Sequence, residues 1–218
     1  MNTFTTPAAI TAVLDVPAGR IQLTAADHTD TTVQVRPADP SKNRDVKAAE
    51  QTTVDFRDGV LHIQTTIKNQ LMGPTGSVQV NVQLPTGSAV QATAASAQFQ
   101  GHGRFGQVTF DGAHGQFTLE EATTVHLTAH AGEVEIGRLN GSADINISKG
   151  DIHITEAVSG TLALKTQAGD ITIGATTSAS LDAGTSYGRI HNSLKNNGST
   201  QLHIHATTSH GDVTARSL

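Results

Sequence analysis

The chain has no cysteine and no tryptophan, and only one tyrosine in 218 residues. Without cysteine it can form no disulfide, iron–sulfur cluster, thiolate zinc site or cysteine nucleophile, and it tolerates any redox compartment. Aromatic residues make up 3%. A globular core of this length normally uses more large rings, whereas narrow stacked coils filled by Val, Ile, Leu and Ala do not need them. Charge is sparse: 14 Lys and Arg against 19 Asp and Glu give a formal net charge of -5. The cations form no run or stripe, which argues against a nucleic-acid partner or an anionic membrane surface. No stretch approaches the ~18 apolar residues of a spanning helix, so no membrane insertion is expected. The opening MNTFTTP has neither a positive n-region nor an apolar h-region. A cytoplasmic protein is therefore the expectation, and a mature secreted form cut from a precursor stays open.

What is abundant is glycine, 21 in all, and a short phrase built on it recurs. It reads GQFTL at 115–119, GEVEI at 132–136, GDIHI at 150–154, GDITI at 169–173, GRIHN at 188–192 and GDVTA at 211–215, with glycine spacings of 17, 18, 19, 19 and 23. Five residues before each glycine stand Phe110, Leu127, Ile145, Leu164, Ala183 and Ala206; seven before stand Val108, Val125, Ala143, Leu162, Leu181 and Ile204. The residue between is mostly polar. Each repeat is thus two alternating strands separated by a turn, burying one face of each. A near-fixed period of turn and strand means coil stacked on coil, a β-solenoid of ~18–19 residues per coil with rungs in parallel register. An earlier rung is visible at Ala97 with Phe99. The glycine suits a turn that needs positive φ or close backbone approach. The longest interval holds polar residues 192–199, read as a loop bulging from the coil.

Residues 1–95 read as a β-rich, sandwich-like cap continuous with solenoid repeats over 96–218. Strands are expected at 10–16, 20–25, 32–36, 52–56, 60–65, 77–84 and 89–93, with hairpin turns at 17–19, 58–59 and 85–87. Residues 17–23 echo the later phrase. A short helix is expected over 40–50, capped by Ser41 or Asp45. The loop 66–76 holds adjacent Leu71 and Met72, which read as a contact site or as residues tucked back onto the core.

The ordered phrases FTTP at 4–7, LDVPAGR at 14–20, VQVRPADP at 33–40, DVKAAEQ at 45–51 and LPTGS at 84–88, followed by the Gly-Asp-Ile repeats, resemble a bacterial β-strand-repeat family. That family is named for adhesins, is common in actinobacteria, and is a domain of unknown function. The resemblance spans nearly the whole chain. It implies a parallel β-helix, right-handed and three-sided, and brings no catalytic residue with it.

Three constellations invite chemistry. His203 and His205 share a strand face, with His210 nearby, a spacing that can bind zinc or nickel; that face is the polar one, and solvated surface histidines are the better reading. Glu133, Asp151, Asp170 and Asp212 follow turn glycines, with Arg189 interrupting; stacked Asp151 and Asp170 could hold calcium or act as a glycosidase pair, or could simply cap turns. Gly101-His102-Gly103 echoes a tripeptide of pectin-degrading hydrolases but lacks the accompanying acidic motifs, so it reads as a turn. No Ser-His-Asp order, nucleotide-binding glycine loop or His-Glu-x-x-His is present. No catalytic, cofactor or metal residue is assigned, and no cofactor is expected.

The expected function is a non-enzymatic solenoid scaffold or binding protein. Its partner would be another protein or a second copy, engaged through an uncapped C-terminal coil; carbohydrate is also possible. The alternatives are a carbohydrate-active lyase or glycosidase using Asp151, Asp170 and Arg189, or a self-assembling filament. The candidate interaction surface is Leu71, Met72, Tyr187, Arg189, Leu194 and Lys195.

Overall fold

Alternating sequence becomes strand throughout, and burial follows the same beat. The computed structural model describes residues 1–66 and 76–218. Contacts divide the chain into two units, Met1–Gly115 and Gln116–Leu218.

The first unit contains β1 (Asn2–Thr5), β2 (Thr11–Asp15), β3 (Ala18–Ala26), β4 (Asp30–Pro37), α1 (Asn43–Glu50), β5 (Thr52–Arg57), β6 (Val60–Thr65), β7 (Val78–Pro85) and β8 (Ala89–His114). Two ladders form. In one, β2 lies parallel between β6 and the start of β8, and β5 pairs antiparallel with β6. In the other, β3 lies parallel between β7 and residues 96–103 of β8, while β4 joins β7 and β1 joins β4, both antiparallel. The first rung in sequence is therefore the middle rung in space. Leu14, Ile21, Leu23, Leu61, Ile63, Leu84 and Phe99 are sealed between the ladders; fully burying such a side chain stabilises by roughly 1.5–3 kcal/mol. Phe4 of β1 meets Phe56 of β5, ring centroids 5.4 Å apart.

Two local expectations are corrected here. Only Asp58-Gly59 is a hairpin turn, with Arg57 opposite Val60 and positive φ at both residues (52° and 78°), as a type I′ connection requires. The turns at 17–19 and 85–87 are coil corners, because β2 and β3 pair with other rungs rather than with one another, and β7 and β8 each pair with β3. The helix starts at Asn43 with Lys42 at the N-cap and no side-chain cap. Ser41 donates to Asp39 from its N–H (3.0 Å) and its hydroxyl (2.6 Å) instead. Asp45 is buried and accepts the Ser77 N–H at 3.0 Å.

The second unit contains β9 (Phe117–Ala131), β10 (Val134–Leu139), β11 (Ala143–Lys149), β12 (Ile152–Ala157), β13 (Gly160–Ala168), β14 (Ile171–Ala175), β15 (Ala179–Tyr187), β16 (Ile190–Ser193), β17 (Leu202–His210) and β18 (Val213–Ser217). All of its pairings are parallel. Phe117, Val134, Ile152 and Ile171 stack at offsets of 17, 18 and 19 residues. Sequential coiling then breaks. Ile171 sits beside Val213, and Val213 beside Ile190. In the companion ladder Leu162 sits beside Ile204, and Ile204 beside Leu181. The last strands of the chain, β17 and β18, are inserted between β13/β14 and β15/β16.

The recurrent glycine has a steric cause visible in this stack. A Cβ on Gly150 would lie 2.0 Å from the Gly132 carbonyl oxygen, one on Gly169 2.0 Å from that of Gly150, and one on Gly211 2.1 Å from that of Gly169. Each turn presses its Cα onto the carbonyl of the turn beneath it. Threonine hydroxyls bind turn-glycine carbonyls as well: Thr166 to Gly150 (3.1 Å), Thr208 to Gly169 (3.0 Å) and Thr185 to Gly211 (2.9 Å).

Candidate functional site: the open edge of the second unit

A strand inserted in a stack is paired on both sides; the strand it displaces becomes the end. That places the unpaired edge on β15 and β16, each of which, among the described residues, pairs along one side only. The expectation that the final coil forms the open end is overturned, since β17 and β18 have neighbours on both flanks. An open edge offers backbone donors and acceptors to another strand, and proteins usually blunt it.

Of the six residues expected to form an interaction surface, Tyr187, Arg189, Leu194 and Lys195 lie on this edge or on the loop beside it. Leu71 and Met72 fall outside the described residues. Tyr187 is 73% exposed and Ile190 45%. The Tyr187 ring stacks on the His210 imidazole, centroids 5.0 Å apart at 13°, which fixes an exposed aromatic at the corner between β15 and β16. Residues 192–199 carry the chain from the end coil back into the stack. They are fastened across the start of β15: Lys195 N–H donates to the Ser217 hydroxyl (2.8 Å), Asn197 N–H to the Ser178 hydroxyl (3.1 Å) and Ala179 N–H to the Lys195 carbonyl (3.2 Å). The extra length in the 23-residue interval is what this return path needs.

The acidic column proves to be a ladder with a direction. The Asp151 carboxylate accepts the Asp170 N–H at 2.8 Å, Asp170 accepts the Asp212 N–H at 2.7 Å, and Asp212 accepts the Arg189 N–H at 2.8 Å. Each carboxylate caps the turn of the next coil in the stack. The ladder ends where the stack ends, because the terminal turn carries Arg189, whose guanidinium returns to Asp212 at 2.9 Å. The Arg189 backbone and side-chain donors hold the Asp212 carboxyl below the usual carboxylate range. Asp212 also separates Asp170 from Arg189, so the three residues named for glycosidase chemistry do not converge.

The histidines are spread along outward faces. His205 Nδ1 lies 2.9 Å from Asp182, His203 Nδ1 3.2 Å from the Ser180 hydroxyl, and His126 Nδ1 3.6 Å from Asp144. Among the described residues no group of three metal-ligating side chains converges. Gly101-His102-Gly103 lies within β8, paired along β3 from Leu23 to Ala25, rather than in a free turn.

Asp182 is an edge residue that the sequence reading missed. One signal was available: the acidic residue after each turn glycine gives way to arginine at 189 alone among the last four repeats, and that repeat is the one at the end of the stack.

The fold has solved relatives. A candidate adhesin from Bacteroides fragilis superposes with a TM-score of 0.54 at 12% identity, covering 98% of this chain and 95% of that one. A candidate cell adhesion protein from Clostridium sporogenes gives 0.39 at 10% identity over 100% and 98%. A candidate adhesin from Parabacteroides distasonis gives 0.39 at 12% over 100% and 95%. No functionally curated protein matches the chain. The model of the Toastrack DUF4097 family matches residues 12–217. With parallel coils, capped turns and a match over nearly its full length, the chain belongs to the Toastrack DUF4097 family.

Proposed function

We propose that this protein is a non-enzymatic solenoid scaffold that works by binding, and that its own second copy is one partner, engaged through the β15–β16 edge. The observation that carries this reading is the one-sided pairing of both strands at the same end of the second unit. Charge supports a symmetric mode. Asp182 lies near the start of β15 and Arg189 just after its end, with side chains 83% and 77% exposed. Antiparallel self-pairing brings each Asp182 toward the partner's end of opposite sign, whereas parallel repetition sets like against like. A two-fold contact of this kind closes on itself. Arg189 also ends the carboxylate ladder, so a further parallel coil would find no acceptor for its turn N–H. Both features favour a closed dimer over a filament.

In this reading the coil is right-handed, the hand that parallel crossover connections favour, and β1, β4, β5 and α1 cap the first unit. The adhesin relatives fit a binding role. Lack of cysteine suits either a reducing or an oxidising compartment, and among the described residues no helix is long and apolar enough to cross a membrane.

Sedimentation velocity over a dilution series tests the proposal. The wild-type chain should reach twice the monomer mass, and Ile190→Glu should return it to a folded monomer whose strand content, read by circular dichroism, is retained. A strict monomer at the highest concentration, or a dimer indifferent to Ile190→Glu, contradicts it.

A further inference from the structure

Unlike the charged and mixed outer faces of the second unit, one outer face of the first unit is an array of amides. Register places residues of four adjacent strands in rows. One row runs Gln34, Asn81, Gln22, Gln100 across β4, β7, β3 and β8. The row on one side runs Arg36, Gln79, Arg20, Gln98, and the row on the other runs Thr32, Gln83, Thr24, His102. The period-two alternation that buries Ile21, Leu23, Val80 and Val82 turns all of these side chains to the same outer side. No carboxylate stands in the three rows, and the two arginines share one of them.

This face is indented. A concavity of about 310 Å³ is lined by Gln22, Thr24, Thr32, Gln34, Asn81 and Gln83, among others. A second, of about 260 Å³, is lined by Arg20, Gln79 and Gln98 with Gly19 and Ala38. Both open on the same array. Part of it is pre-ordered: the Thr32 hydroxyl donates to Gln83 Oε1 at 3.0 Å, and Arg20 Nε donates to Gln98 Oε1 at 3.1 Å. At the centre, Asn81 Oδ1 is buried and has no hydrogen-bond partner among the described residues.

We infer that this face binds an extended, neutral, hydroxyl-rich polysaccharide. Charge decides against the other broad classes. A phosphate polymer needs a cationic stripe, and a metal ion needs carboxylates or imidazoles together; the middle row has neither. An amide offers an acceptor and two donors, and a sugar hydroxyl also both donates and accepts, so vicinal hydroxyls and side-chain amides satisfy each other without charge. The strands supply a lattice of about 4.8 Å along each row and about 6.6 Å between rows, and a regular polymer can meet successive rows with successive units. This inference is independent of self-association, because the β15–β16 edge belongs to the other unit.

The test is binding of the full chain to linear neutral glucans and mannans, with a polyuronate as a separate arm, by affinity electrophoresis and calorimetry. Neutral chains should bind, and Gln22→Ala and Gln34→Ala should each weaken binding about threefold to tenfold, the loss of one net hydrogen bond. Both positions lie on the solvent side of their strands, and thermal melting checks that the fold is intact. Thr172→Ala, on the second unit, should leave binding unchanged. Absence of binding to every neutral chain, binding indifferent to both glutamine variants, or binding only to the polyuronate with loss on Arg20→Ala overturns the inference.

Discussion

The Asp212 N–H donates to the Asp170 carboxylate at 2.7 Å, although 42 residues separate the two. Arg189, only 19 residues after Asp170, is one coil further away and bonds to Asp212 instead. This pair records in one contact the insertion of β17 and β18 into the stack. It also assigns the acidic column a structural task, capping the next turn, which requires an acceptor rather than a charge.

Asp170→Asn should therefore be nearly neutral, because the amide oxygen still accepts the Asp212 N–H. Asp170→Ala should destabilise by about 0.5–1.5 kcal/mol, the net worth of one hydrogen bond. Urea titration of the two variants measures the difference. A large, equal loss in both would mean that the charge itself matters.

Glycine substitutions should separate conformational cost from steric cost. Gly59, at φ +78°, has nothing near the position a Cβ would take, whereas Gly150, at φ +131°, would place a Cβ 2.0 Å from the Gly132 carbonyl oxygen. Gly59→Ala should cost about 1–2 kcal/mol, the left-handed penalty alone. Gly150→Ala should cost clearly more, since backbone must also move, and should lower the melting temperature further. Equal costs would remove the close-packed turn as the reason for the repeated glycine.

Acid should expose two carboxylates. Asp39, held by the Ser41 hydroxyl and N–H and by Lys42, is lowered from 3.8 to about 2, and Asp212 is lowered by Arg189. A carboxyl with a depressed folded pKa stabilises fully above its unfolded value and loses that contribution as pH falls through the folded one. Both contributions should be intact above 3.8 and, for Asp39, gone below about 2. Asp39→Asn and Asp212→Asn should each flatten the acid limb of a stability–pH curve. The effect should be small, because both groups are exposed and screened. A steeper acid limb in either variant would contradict the assignment.

Thr208 is buried and its hydroxyl donates to the Gly169 carbonyl at 3.0 Å. Thr208→Val keeps shape and removes the donor, and should cost about 1 kcal/mol. Thr185→Val, on the end strand β15 where the same bond is half-exposed, should cost less. The ratio of the two, read by chemical denaturation, reports how far the end coil is open to water.

The strands, the turn glycines and the inward positions were legible in the sequence because each follows from local periodicity: Phe117, Val134, Ile152 and Ile171 are spaced as they stack. The order of the rungs was not. Val213 and Ile190 carry equivalent phrases, and nothing local distinguishes a coil laid on the end from one threaded beneath it. The same ambiguity hid the middle position of β2 and β3 in the first unit. The edge residues Tyr187 and Arg189 were reached from the unusual interval that follows them, yet assigned to a neighbourhood whose open side was the wrong strand. Gln22, Gln34, Asn81 and Gln100 come from four separate stretches, and only register brings them into a row.

Strand order is the point on which the rest depends, and the chain's lack of native cysteine makes it directly measurable. Ala163 pairs with His205, and His205 with Asp182. Adjacent parallel strands lie about 4.8 Å apart, within reach of a disulfide, whereas strands two places apart exceed the ~7 Å limit. Ala163→Cys with His205→Cys should cross-link on mild oxidation, and Ala163→Cys with Asp182→Cys should not. The reverse outcome, a bond between 163 and 182 and none between 163 and 205, would restore sequential coiling and contradict the inserted C-terminal coil.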